Sequence, residues 1–153
     1  MTIDIPESVA TVLNRADCYG AVNEEFISEI ERQSGLVFPG EYRAFLSRYG
    51  AALLPGFELH GLVPSVIEGE PPYWTDIRAL LGKQSLNGLP SHLVPISDDG
   101  GDFNFYLSCA AEPNHGTVLV YGPGADGKLV SHGFFEFVER AAHGSIAELI
   151  PTL

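Results

Sequence analysis

A chain of 153 residues with 45% hydrophobic and 18% charged side chains has the size and composition of one folded domain around a single core. Its net charge of −12 disfavours nucleic acid and anionic membrane surfaces, which would repel it, and is compatible with attraction to a basic partner. The opening residues Met1 to Glu7 carry neither a basic region nor an apolar one, and no apolar run reaches bilayer-spanning length. A cytoplasmic protein is expected, with Cys18 and Cys109 as reduced thiols.

The first third reads as helical. After Pro6, the residues Val9, Val12, Leu13 and Ala16 repeat at helical spacing and predict a helix near 6–17, broken by Cys18-Tyr19-Gly20. Asn23 is a good N-cap for a helix from Glu24, with Val22 and Ile27 placed as a hydrophobic staple and Gly35 as the stop. Pro39 then opens a third helix, because its fixed φ and missing N–H suit a first turn. Tyr42, Phe45, Leu46 and Tyr49 form its buried stripe, and Gly50 closes it.

The middle changes character. Phe57 to Gly61 alternates like a half-buried strand, Pro64 to Pro72 reads as an irregular segment, and Thr75 to Leu86 predicts a helix through Ile77, Leu80 and Leu81. Strands are expected at Leu93 to Ile96, Phe103 to Cys109, Thr117 to Tyr121 and Lys128 to Ser131, with Asp126-Gly127 as a turn before the last. Phe134, Phe137, Val138 and Ala141 mark a closing helix that ends at Gly144. Helices, then strands joined by short turns, then a helix predict a single α+β domain, residues 1–153, with a mostly antiparallel sheet.

The negative charge is unevenly placed. Between Arg48 and Arg78 there are four acids (Glu58, Glu68, Glu70, Asp76) and no Lys or Arg. Between Lys83 and Lys128 there are five (Asp98, Asp99, Asp102, Glu112, Asp126), again with no Lys or Arg. The rest of the chain is close to balance, so the middle is selectively acidic.

Three motifs resemble one family. Phe38-Pro39-x-x-Tyr42-x-x-Phe45-Leu46-x-x-Tyr49-Gly50 is similar to the helix motif of the SUKH superfamily, which includes the yeast cell-wall-assembly regulator domain. Pro95 to Asp102 resembles its apolar strand running into an acidic, glycine-rich turn, and Phe134-Phe135-Glu136-Phe137-Val138 resembles its closing helix. Phe38 stands where Leu is usual, and Tyr49-Gly50-Ala51 where Asn-Gly-Gly is common. The motifs lie between about residues 27 and 142. The resemblance implies an α+β domain without catalysis. In bacteria it implies an immunity protein that neutralises a toxin, often a nuclease. The alternative it implies is a regulatory scaffold of the cell-wall-regulator type.

The residues offer few chemical sites. Asp98-Asp99-Gly100-Gly101-Asp102 fails the calcium-loop spacing, because Gly stands at position 100 and Cys109 where a closing Glu belongs, so a capped turn is expected and no metal. His60, His92, His115, His132 and His143 show no metal-ligand spacing, and no phosphate-binding fingerprint or nucleophile motif is present, so no cofactor is expected. Cys109, on a strand, reads as a small buried hydrophobe. The segment Glu68-Gly69-Glu70-Pro71-Pro72-Tyr73-Trp74-Thr75-Asp76 holds the only Trp. Its aromatics serve either as interface anchors or as core, and its acids would steer a basic partner. The expected partner-binding residues are Glu68, Glu70, Tyr73, Trp74, Asp76, Asp98, Asp99 and Asp102.

Overall fold

The computed structural model describes residues 3–63, 75–84 and 88–150. Its elements in order are α1 (Glu7–Asn14), β1 (Asp17–Cys18), α2 (Glu24–Ser34), α3 (Gly40–Tyr49), β2 (Ala52–Leu54) and β3 (Phe57–Leu59). There follow α4 (Ile77–Gln84), β4 (Leu93–Asp98), β5 (Asn104–Ser108), β6 (Val118–Gly122), β7 (Ala125–Ser131), α5 (Phe134–His143) and a 3₁₀ turn at Ile146–Leu149. Three strands make one antiparallel sheet in the order β1-β2-β3, and four make a second in the order β4-β5-β6-β7. The fold is α+β. The two sheets meet where the His60 N–H donates to the Ile96 carbonyl (2.8 Å).

The helix signals act as their chemistry requires. Asn23 accepts the Glu25 N–H at 2.7 Å, and Gly35 ends α2 in the left-handed conformation at φ 76°. Val22 and Ile27 are both buried. In α3 the predicted stripe is core: Tyr42, Phe45 and Leu46 are fully buried and Tyr49 nearly so. The ring of Phe134, opening α5, lies 5.2 Å from that of Tyr42 and 5.1 Å from that of Phe45, which clamps the two helices together. Tyr42 keeps its hydroxyl satisfied inside by donating to the His60 carbonyl at 2.8 Å. Glu41 adds a polar tie, accepting the Phe135 N–H at 2.9 Å and so supplying the first turn of α5 with an anion from another helix. Gly50 is required twice over. It sits at φ 76°, and a Cβ there would run into the Gly20 carbonyl and come within 2.8 Å of the Leu62 carbonyl.

Four expectations need correcting. Cys18 does not simply break the chain: Asp17 and Cys18 pair with Leu53 and Ala52, giving two short strands that carry no alternation of their own. The helix predicted from Thr75 starts at Ile77, because Asp76 accepts the Arg78 N–H (2.8 Å) in the manner of an N-cap; its predicted end at Leu86 lies outside the described residues. The strand expected at Phe57–Gly61 ends at Leu59, with Gly61 making only a bridge to Asp76.

The last correction concerns Asp126-Gly127, which does not form the hairpin turn. Gly122 pairs with Ala125, so the two-residue loop is Pro123-Gly124, the pair that fits a type II turn, and β7 begins three residues early. Gly127 is instead the extra residue of a bulge between Tyr121↔Asp126 and Val120↔Lys128. It sits at φ 77° under the Tyr121 ring, and a Cβ there would approach the Tyr121 hydroxyl to 2.9 Å.

Candidate interaction surface

The four-stranded sheet has two unlike faces. On one, Phe105, Leu107, Val118 and Val120 are fully buried, and the Phe105 ring meets Phe137 of α5 at 5.2 Å. On the other, register aligns two rows across the strands. Pro95, Tyr106, Leu119 and Leu129 stand in one; Asp98, Asn104, Tyr121 and Asp126 stand in the next, toward the hairpin ends. Tyr106 and Tyr121 meet edge to face at 5.4 Å. Leu129 is 50% exposed, Tyr121 is half-buried, and Asn104 and Asp126 are exposed.

A meander brings alternate turns to the same end of its sheet. The loop between β4 and β5 therefore lies beside the β6–β7 turn, so closely that a Cβ on Gly122 would meet the Asp102 carbonyl at 2.9 Å and collide with the Phe103 ring. Asp98, Asp99, Asp102 and Asp126 are gathered at this end. From Leu93 to Ser131 the chain has five acids and one base, Lys128, which pairs with Val120 of the core-facing set.

Two of these carboxylates are held in a definite way. Asp98 accepts the Gly100 N–H at 2.8 Å, and its other oxygen stands 3.6 Å from Nε2 of the buried His60. The His60 ring beside it holds the Asp98 carboxyl below its ordinary value, helped by the Gly100 amide and opposed by partial burial. Asp99 accepts from the amides of Gly101 (2.8 Å) and Phe103 (3.2 Å). These are the local caps that a glycine-rich acidic turn provides. Burial raises the Tyr121 phenol, and the charge of Asp126 beside it raises it further. The tyrosines are thus neutral, rigid and flanked by fixed negative charge, a composition that suits protein recognition.

Asp76 is elsewhere, and its expected exposure is overturned. Its side chain is fully buried, accepting the Val63 N–H at 3.0 Å and both the N–H and the guanidinium of Arg78, the latter at 2.7 and 2.9 Å. Arg78, the base that ends the acidic window in sequence, is consumed by it. Glu68, Glu70, Tyr73 and Trp74 lie outside the described residues. The sequence reading missed Tyr106, Tyr121, Leu129 and Asp126 as neighbours of the acidic turn. Their alternation within the strands was the available signal, but register was needed to align it.

Chemistry of other kinds finds little support. Among the described residues, no group of three or more His, Cys, Asp or Glu side chains is arranged to hold a metal ion. Burial pushes the Cys109 thiol up to about 12, far from the range of a nucleophile. Among the described residues, no helix is long and apolar enough to cross a membrane.

Fold and surface together define an α+β domain with an acidic, tyrosine-bearing sheet end. Residues 21–140 match the SMI1 / KNR4 family (SUKH-1), and the chain belongs to that family. A crystal structure of a protein from Pseudomonas syringae pv. tomato shares the fold, with a TM-score of 0.61 and 18% identity over 80% of this chain and 87% of that one. No curated protein sequence matches the chain.

Proposed function

We propose that this chain is a cytoplasmic, non-enzymatic immunity protein that neutralises a basic toxin domain, of the nuclease class, through the acidic end of its four-stranded sheet. One observation supports the reading: Asp98 and Asp126 share a row with Tyr121 on the sheet face turned away from α5, and the loop that carries Asp99 and Asp102 lies at the same end. Nucleases bind phosphate with clustered Lys and Arg, and a fixed array of carboxylates occupies such a surface by charge mimicry. Tyr121 and Leu129 supply apolar contact at the centre, and the carboxylates speed encounter and set orientation. Membership of the SUKH-1 family fits a binding role of this kind.

The test is capture from the source organism followed by charge reversal. Immobilised protein should retain a basic toxin domain that elutes with salt, because the attraction between exposed charges is screened. The double variant Asp102→Lys, Asp126→Lys, which spares the Asp99 cap, should lose protection of cells expressing that toxin while melting at the same temperature. Undiminished protection would remove this surface from the mechanism. Capture of only a host regulatory protein would favour the scaffold role instead.

A further inference from the structure

A groove lined by residues outside the four-stranded sheet has a chemistry opposite to that of the acidic end. Helix α1 carries two stripes. Val9 and Leu13 are fully buried in the core, while Ser8, Thr11, Val12 and Arg15 line a groove of about 470 Å³. The β2–β3 hairpin also lines it, with Leu54 and the buried Phe57, as do Ala142 and His143 of α5. The volume falls in the range of small-molecule sites, and the lining has their usual make-up, apolar with a few polar groups.

Arg15 sets the groove apart. Most arginines of this acidic chain are committed: Arg32 to Glu29, Arg43 to Glu24 and Glu31, Arg78 to Asp76 and Arg140 to Glu136, while Arg48 lies over the Tyr49 ring. Among the described residues, Arg15 has neither a carboxylate nor a ring. Nor is its guanidinium needed at the carbonyl end of α1. The Val12 carbonyl already accepts the Arg15 N–H at 3.2 Å, and the Leu13 carbonyl accepts both the Ala16 N–H (3.2 Å) and the Cys18 thiol (3.4 Å).

We infer that this groove binds a small aliphatic carboxylate, with the hydrocarbon on Val12, Leu54 and Phe57 and the carboxylate on Arg15, assisted by His143. The occupant's size follows from the helix: Ser8 to Arg15 spans about 10 Å at ~1.5 Å per residue, the reach of a chain of roughly eight carbons.

Octanoate is therefore the probe, titrated into ¹⁵N-labelled protein with octanamide as the neutral counterpart. Saturable amide shifts confined to Ser8–Ala16, Leu54–Phe57 and Ala142–His143 are expected. Arg15→Gln should weaken octanoate about tenfold, the usual order for losing a charge-assisted pair, and leave octanamide unchanged. Thr11→Trp fills the groove from an exposed position and should abolish both. Scattered or absent shifts, equal affinity for octanamide, octanoate affinity unchanged by Arg15→Gln, or octanoate binding that survives Thr11→Trp would overturn the assignment.

Discussion

The aromatic junction of α3 with α5 and the acidic end of the β4–β7 sheet are built from similar parts and put to opposite use. Each has aromatic rings in edge or tilted contact, a glycine at positive φ and a carboxylate bonded to backbone amides. At the junction the rings are enclosed and the polar groups tie elements together: Tyr42 gives its hydroxyl to the His60 carbonyl, and Glu41 caps α5. At the sheet end the amides claim one oxygen each of Asp98 and Asp99, and Tyr121 and Leu129 keep surface in water. A region whose bonding capacity is exhausted internally can specify the fold. Recognition needs a region with capacity left over.

Substitutions can break this contrast. Phe45→Asp should have the largest effect, because it puts a charge among the rings of Tyr42, Tyr49 and Phe134, and loss of the folded state should be plain in the near-ultraviolet circular dichroism. Asp76→Ala comes next. Although this residue lies in the acidic window, it leaves the Val63 N–H and Arg78 without their acceptor, and urea unfolding should show a cost of about 3 kcal/mol. A cost below about 0.5 kcal/mol, the level of an ordinary surface change, would return Asp76 to the exposed class.

Asp98→Asn should be the mildest. The folded carboxyl of Asp98 is held below its unfolded value, so its contribution is present above the unfolded pKa of about 3.9 and is lost as pH falls through the lower folded one. The variant should therefore match the parent below that window and be less stable above it. Parallel stability–pH curves would mean that the His60 contact does not act.

Periodic features were legible in the sequence. The stripe of Tyr42, Phe45, Leu46 and Tyr49, the Asn23 cap and the closing Phe134–His143 helix all follow from local chemistry that needs no partner. The strands β1 and β2 were not legible, since two or three residues carry no period and their pairing exists only once α3 has turned the chain back. Asp126-Gly127 satisfies a turn and a bulge equally well, and Pro123-Gly124 upstream decided between them. The acids of the site could be counted, but placing Asp126 with Asp98 required strand register, and the burial of Asp76 required the position of Arg78.

The Glu41–Phe135 bond joins residues 94 positions apart, and the Phe134 ring completes the junction beside it. On a ribosome adding about 5–20 residues per second, α3 waits about 5–20 s for that ring. Throughout the interval Tyr42 and Phe45 face outward on an unfinished chain. Nascent or truncated chains that stop short of Phe134 therefore present an adhesive aromatic stripe, which makes them substrates for chaperones and seeds for aggregation.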